Sequence, residues 1–105
     1  MSKDARDKRA RKKPHLLAVR RVVGRSMWPV LDPEQVVIVT CKRHYDVEDV
    51  VVIWHQGKEK IKRIHSIKGL KYDVRGDNPS QSNDSRHFGL IEKSEILGKV
   101  VWPRV

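Results

Sequence analysis

The run Val50-Val51-Val52-Ile53-Trp54 is followed almost at once by Gln56-Gly57-Lys58 and then by a long alternating stretch over residues 59–67. A short block of β-branched residues fits a pleated strand and crowds a helix. The apolar block is far shorter than the ~20 residues a membrane-spanning helix needs. The glycine-bearing break lets the chain reverse, so the two arms read as an antiparallel hairpin whose first arm is buried on both faces. Other short blocks repeat the theme. Residues 16–23 end at Gly24, residues 35–41 are rich in Val and Ile, residues 70–75 follow the Lys68-Gly69 turn, and residues 98–102 stop at Pro103. Residues 26–33 carry two prolines and read as a turn or a short helical turn. Residues 42–49 and 76–87 read as polar connections, and residues 91–97 hold a brief turn. The pattern predicts a mostly-β, compact single domain with short strands and little helix. At 105 residues one domain with a modest core is expected.

The net charge of +10 is unevenly spread. Residues 1–21 hold nine Lys or Arg against two Asp, so +7 sits there, and +3 is left for residues 22–105. Residues 1–14 are polar, charged and end in Pro14, so they read as a disordered basic tail ahead of a domain over residues 15–105. Residues 1–13 could attract nucleic acid or an anionic membrane surface. No apolar stretch follows these basic residues, so they do not read as a signal peptide. Cys41 is alone, which excludes an internal disulfide and fits a reducing compartment. The expected location is therefore cytoplasmic, with the membrane periphery reached through the tail. The five histidines are scattered and no glycine-rich phosphate loop precedes a helix, so no metal and no cofactor is assigned.

Chemistry concentrates in three segments. Ser26 stands just before Met27-Trp28-Pro29. Lys62-Arg63 lies on the second arm of the hairpin, 36 positions later. The third segment runs from Gly76-Asp77-Asn78 through Ser82-Asn83-Asp84-Ser85-Arg86 to Phe88-Gly89. Serine is a weak nucleophile unless a neighbouring base takes its proton. Lysine can be that base only as the neutral amine, which requires burial to lower its pKa by several units. Lys62 sits between Ile61 and Ile64 beside the Val50–Trp54 block, and strand alternation puts it on the face of Ile64, with Arg63 on the other. The backbone N–H of Ser26, in a tight turn, is the natural oxyanion donor. Taken singly, each feature has a plainer reading: a turn serine, a solvated lysine, a surface ion pair between Asp84 and Arg86. Their order and spacing together lift them above that background.

These three boxes resemble the type I signal peptidase family, whose clan also includes the LexA-type self-cleaving repressors. The resemblance covers roughly residues 24–102. It implies a signal-peptidase/LexA-like β fold and a Ser/Lys dyad of Ser26 and Lys62. It also implies bracing roles for Ser82, Asp84 and Arg86, with Ser82 hydrogen-bonding the lysine amine. Many bacterial members carry a Ser or Thr two positions before the nucleophile that helps the oxyanion hole; here that place is Gly24. Signal peptidases usually begin with a membrane anchor and carry large membrane-facing insertions, and neither is expected here. The compact late box and the Trp102-Pro103 pair look more like small soluble members, such as those that trim the propeptide of nickel-containing superoxide dismutase. The resemblance thus implies a serine endopeptidase acting on a protein or peptide with an N-terminal leader or propeptide. A signal peptidase I-like preprotein cleavage at a membrane surface is the alternative within the family. A non-enzymatic basic nucleic-acid-binding module is the alternative from another class.

Overall fold

The computed structural model describes residues 17–105; the stretch read as a basic tail lies outside these residues. Seven strands run in chain order: β1 (Leu17–Arg21), β2 (Val36–Thr40), β3 (Val50–His55), β4 (Lys58–Lys68), β5 (Lys71–Arg75), β6 (Ile91–Glu92) and β7 (Ile96–Trp102). They form one antiparallel sheet in the order β1-β2-β7-β3-β4-β5-β6. Among the described residues helix is confined to a 3-10 turn at Pro79–Gln81, a four-residue helix α1 (Ser85–Phe88) and a second 3-10 turn at Lys93–Glu95. The mostly-β, single-domain expectation therefore holds.

The β3–β4 hairpin forms as the sequence implies. Val50 faces Arg63 at one end and His55 faces Lys58 at the other. Gln56 and Gly57 both take positive φ, at 52° and 76°. Two such residues in succession give the mirror-image turn whose twist matches that of the strands. β3 is buried from Val50 to Ile53, but Trp54 is half exposed. The strand leaves the sheet's cover at its tip, so burial on both faces ends one residue earlier than the apolar run.

Alternation along β3 feeds two cores. Val50 and Val52 join Val22, Met27, Leu31, Val37, Val39 and Val100, with Ile61 packed against them. Val51 and Ile53 join Tyr45, Ile64, Tyr72, Val74, Ile91 and Ile96, with Phe88 against them. The first strand is shorter than the apolar run suggested. Val22 leaves β1 as a buried plug whose N–H donates to the Gln35 carbonyl, while its own carbonyl takes the N–H of Glu34. The connection over residues 76–87 is more structured than a loop, because it contains the first 3-10 turn and most of α1. No helix among the described residues is long and apolar enough to cross a membrane.

Candidate active site

Packing and two hydrogen bonds shape the turn that carries Ser26. Trp28 N–H donates to the Arg25 carbonyl at 3.1 Å and Leu31 N–H to the Met27 carbonyl at 2.9 Å. Met27 and Leu31 are buried in the first core, whereas Trp28 and Val30 are exposed. Met27 thus anchors the turn and leaves Ser26 half-buried at its edge. A second set of bonds ties the turn to the late box. Asn78 N–H donates to the Ser26 carbonyl at 2.8 Å, and Asn78 Nδ2 donates to the Arg25 carbonyl at 3.0 Å.

Lys62 faces Val51 across the hairpin and shares its face with Ile64. Both neighbours are fully buried, and Lys62 itself is 3% exposed. Burial in this apolar wall, opposed by Asp84 and aided by the positive charges of Lys60 and Arg86, lowers the pKa of its amine to about 8. Lys62 Nζ donates to Ser82 Oγ at 3.0 Å. The Ser82 hydroxyl donates to Asp84 Oδ2 at 2.6 Å and accepts the N–H of Gly76 at 3.1 Å. A hydroxyl has one proton and two lone pairs, so these three bonds saturate it. Ser82 can therefore take an N–H from Lys62 but cannot use up the lone pair of the neutral amine.

Asp84 is completely buried and heavily bonded. It accepts Arg86 Nε at 2.9 Å and Nη2 at 2.7 Å, the Arg86 backbone N–H at 3.2 Å and the Gly76 N–H at 2.8 Å. Burial alone would raise its pKa, but the bonds from Arg86, Ser82 and the two backbone amides outweigh it and hold the carboxyl well below the usual carboxylate range. The role of Asp84 is to fix Ser82, which in turn fixes the amine.

Gly76 is the meeting point. A Cβ built there would stand 2.3 Å from Ser82 Oγ and 2.6 Å from the Ser26 carbonyl oxygen, so no other residue fits without displacing one of them. On the opposite face of β4, Arg63 grips Asp77 with two bonds, Nε to Oδ1 at 3.0 Å and Nη2 to Oδ2 at 2.8 Å. The Lys-Arg step thus works on both faces of one strand. Lys62 holds Ser82, and Arg63 locks the Gly76-Asp77-Asn78 segment beside it.

Of the residues singled out in the sequence, Lys62, Ser82, Asp84 and Arg86 form one continuous network. Ser26 joins it through its backbone, by way of Asn78 and the contact with Gly76. Among the described residues no hydrogen bond links the side chains of Ser26 and Lys62. Sequence reasoning passed over Arg63, Gly76, Asp77 and Asn78 as site-building residues. The signal was present in the Gly-Asp-Asn triplet and the Lys-Arg step, but pairing them needs the register of β4 against β5, where Arg63 faces Arg75 just ahead of Gly76.

A segment of 36 residues is 56% identical to proteins described as signal peptidase IB from Staphylococcus aureus strains Mu50, N315 and MW2. That segment is 31% of this chain and 19% of each relative. The match therefore spans about a fifth of the length of those relatives. A family model described as Peptidase S24-like matches residues 3–101. With nearly the whole chain matched, and with the three boxes of the sequence gathered around Gly76, this chain belongs to the Peptidase S24-like family.

Proposed function

We propose that the chain is a serine endopeptidase with a Ser26/Lys62 dyad. The burial of Lys62, 3% exposed and hydrogen-bonded to Ser82, is the observation that carries this reading. A structural lysine on a strand would be expected to send its amine to water; this one is held in an apolar wall, where the neutral form is favoured. In the reaction, Ser26 Oγ attacks the scissile carbonyl carbon while its proton passes to the lone pair of Lys62 Nζ. The carbonyl oxygen becomes an oxyanion opposite the Ser26 backbone N–H, which no backbone hydrogen bond occupies among the described residues. Collapse of the tetrahedral intermediate breaks the C–N bond, and the Lys62 ammonium returns the proton to the departing amine. Water then attacks the acyl-Ser26 ester, losing its proton to Lys62; the C–Oγ bond breaks, the acid product leaves, and the Lys62 ammonium returns the proton to Ser26 Oγ. Ser82, Asp84 and Arg86 hold the amine in place throughout and exchange no proton.

The substrate in this reading is a protein or peptide bearing an N-terminal leader or propeptide, and a soluble maturation role of the nickel superoxide dismutase type is favoured. The compact late box and the Trp102-Pro103 ending support it. The second reading, cleavage at a membrane surface, draws on a separate observation. Leu17, Val19, Val36 and Trp102 are all exposed, and the register sets Val19 and Trp102 each opposite Ile38 in β2. Strand alternation places these side chains on one uncovered apolar face.

The test is cleavage of a leader peptide by purified wild-type, Ser26→Ala and Lys62→Arg proteins across pH 6–10. Arginine keeps the charge but stays protonated, so it cannot act as base. Both variants are expected to be inactive with normal melting curves, and wild-type activity is expected to rise with pH through about 8. Undiminished turnover in folded Ser26→Ala, or a flat wild-type profile, defeats the dyad. Salt-dependent DNA binding by the full chain, lost on deleting residues 1–13, would then favour the nucleic-acid module. A leader peptide cleaved equally with and without anionic vesicles favours the soluble role over the membrane one.

A further inference from the structure

Lys60 lies on the same face of β4 as Lys62, two residues nearer the hairpin tip, opposite Ile53. Its Nζ sits 4.7 Å from the centroid of the Phe88 ring. Phe88 ends α1, the helix that opens at the Asp84–Arg86 pair, and is itself held against the second core. His55, at the end of β3, stacks on Phe88 with ring centroids 4.2 Å apart, and its Nδ1 lies 2.8 Å from Glu95 Oε1. The ring is thus clamped between a core, a stacked imidazole and an ammonium group.

The choice of partner matters. Among the described residues no carboxylate comes within ion-pair distance of Lys60. An Asp or Glu there would fix the side chain and cancel its field. An aromatic face fixes a cation while leaving its net charge intact. Arg86, the other cation near Lys62, is answered directly by Asp84 through two bonds. The geometry points to Lys60 as a positioning residue that acts on Lys62, two residues away on the same strand face, through an uncancelled positive charge fixed over the ring of Phe88.

Like charges in a partly desolvated site disfavour each other's ionised form. The lowering of the Lys62 pKa by Lys60 agrees in sign. The groups facing the Lys62 amine are Asp84, which favours its charge, and Lys60 and Arg86, which oppose it. From β3 its face receives Val51, Ile53 and, at the tip, His55. The core against Phe88 holds the titratable Tyr45 and Tyr72, and His55, stacked on the ring, is paired with Glu95. Removing the Lys60 charge should therefore move Lys62 toward its ordinary value and shrink the neutral fraction at neutral pH.

The kinetic consequence rests on the peptidase reading, so the experiment has an arm that does not. Full-length protein carrying 13C-labelled lysine is titrated by NMR, with the Lys62 signal assigned by its loss in Lys62→Arg. Lys60→Met is expected to raise the Lys62 midpoint by about half a pH unit. Lys60→Arg should restore the wild-type midpoint, and Phe88→Leu, which frees Lys60 into solvent, should shift it in the same direction by less. In peptide cleavage, half a unit corresponds to roughly threefold lower kcat/KM at pH 7 with an unchanged alkaline plateau. A purely structural Lys60 would instead lower activity at every pH and leave the midpoint unmoved. An unmoved midpoint in folded Lys60→Met overturns the proposal. A shifted midpoint in a protein that cleaves nothing upholds the coupling and overturns the peptidase reading alone.

Discussion

Val50 and Val52 send their side chains to a core that also holds Met27 and Leu31, while Val51 and Ile53, between and after them on the same strand, face a core bordered by buried Lys62 and Asp84. The first side is apolar throughout and places Ser26 by packing. The second places the Lys62 amine by a chain of hydrogen bonds through Ser82, Asp84 and Arg86. In the proposed dyad the contrast follows from what each group would have to do. A nucleophile on a turn needs only a fixed position at a surface. A lysine that is to act as a base must be kept from water yet held in direction, and only satisfied polar partners can do that without the cost of stranded charges.

This comparison can be broken most directly at Asp84. On the polar side, Asp84→Ala leaves the Ser82 hydroxyl without its acceptor and Arg86 without its partner, so a loss of about 3–5 kcal/mol is expected in chemical denaturation. On the apolar side, Met27→Ala should cost about 2–5 kcal/mol through lost burial and a cavity. The two should also differ in character. Adding salt should change the stability difference between wild type and Met27→Ala little, because no charge is involved. If both variants lose stability equally at every salt concentration and pH, the two sides are not built on different principles.

A smaller effect of opposite sign is expected at Lys62. Its folded pKa of about 8 lies below the ordinary 10.5, so between these values the unfolded chain binds more protons than the folded one. Stability contributed through this group therefore rises with pH from about 8 to about 10.5. Below pH 8 the folded protein carries a charge it disfavours. Lys62→Met should then be more stable than wild type at pH 7 by about 1–3 kcal/mol, part of the gain being lost with the bond to Ser82, and the advantage should vanish above pH 10.5. Urea titrations of both proteins at pH 7 and pH 11 check this. A variant less stable than wild type at pH 7 would mean that Lys62 contributes more by its bond than it costs by its burial.

Much of the architecture was legible in the residues. The Val50–Trp54 block with Gln56-Gly57 determined the central hairpin, because β-branched residues and a positive-φ turn leave few alternatives. The candidate dyad and its bracing residues were legible too, but through the resemblance of three boxes rather than through physics. Taken singly, Asp84 and Arg86 read as a surface ion pair, whereas the Asp84 carboxyl is fully enclosed. Arg63 was read only as facing away from Lys62, and its grip on Asp77 went unseen. Nothing in the sequence marks Lys60 apart from its basic neighbours, and its partner Phe88 lies 28 positions away.

The division has a physical reason. Strand identity, turn type and which neighbours share a face depend on residues two to four apart, and the sequence by itself determined these. The close approach of Gly76 to the Ser26 carbonyl and the closing of Phe88 over Lys60 join segments far apart in the chain. Those depend on strand register, on the insertion of the last strand, β7, between β2 and β3, and on how much water each group finally keeps. A lysine's basicity is set by that last quantity, so only the tertiary structure decided that Lys62, among the lysines of the described residues, has its pKa brought down to about 8.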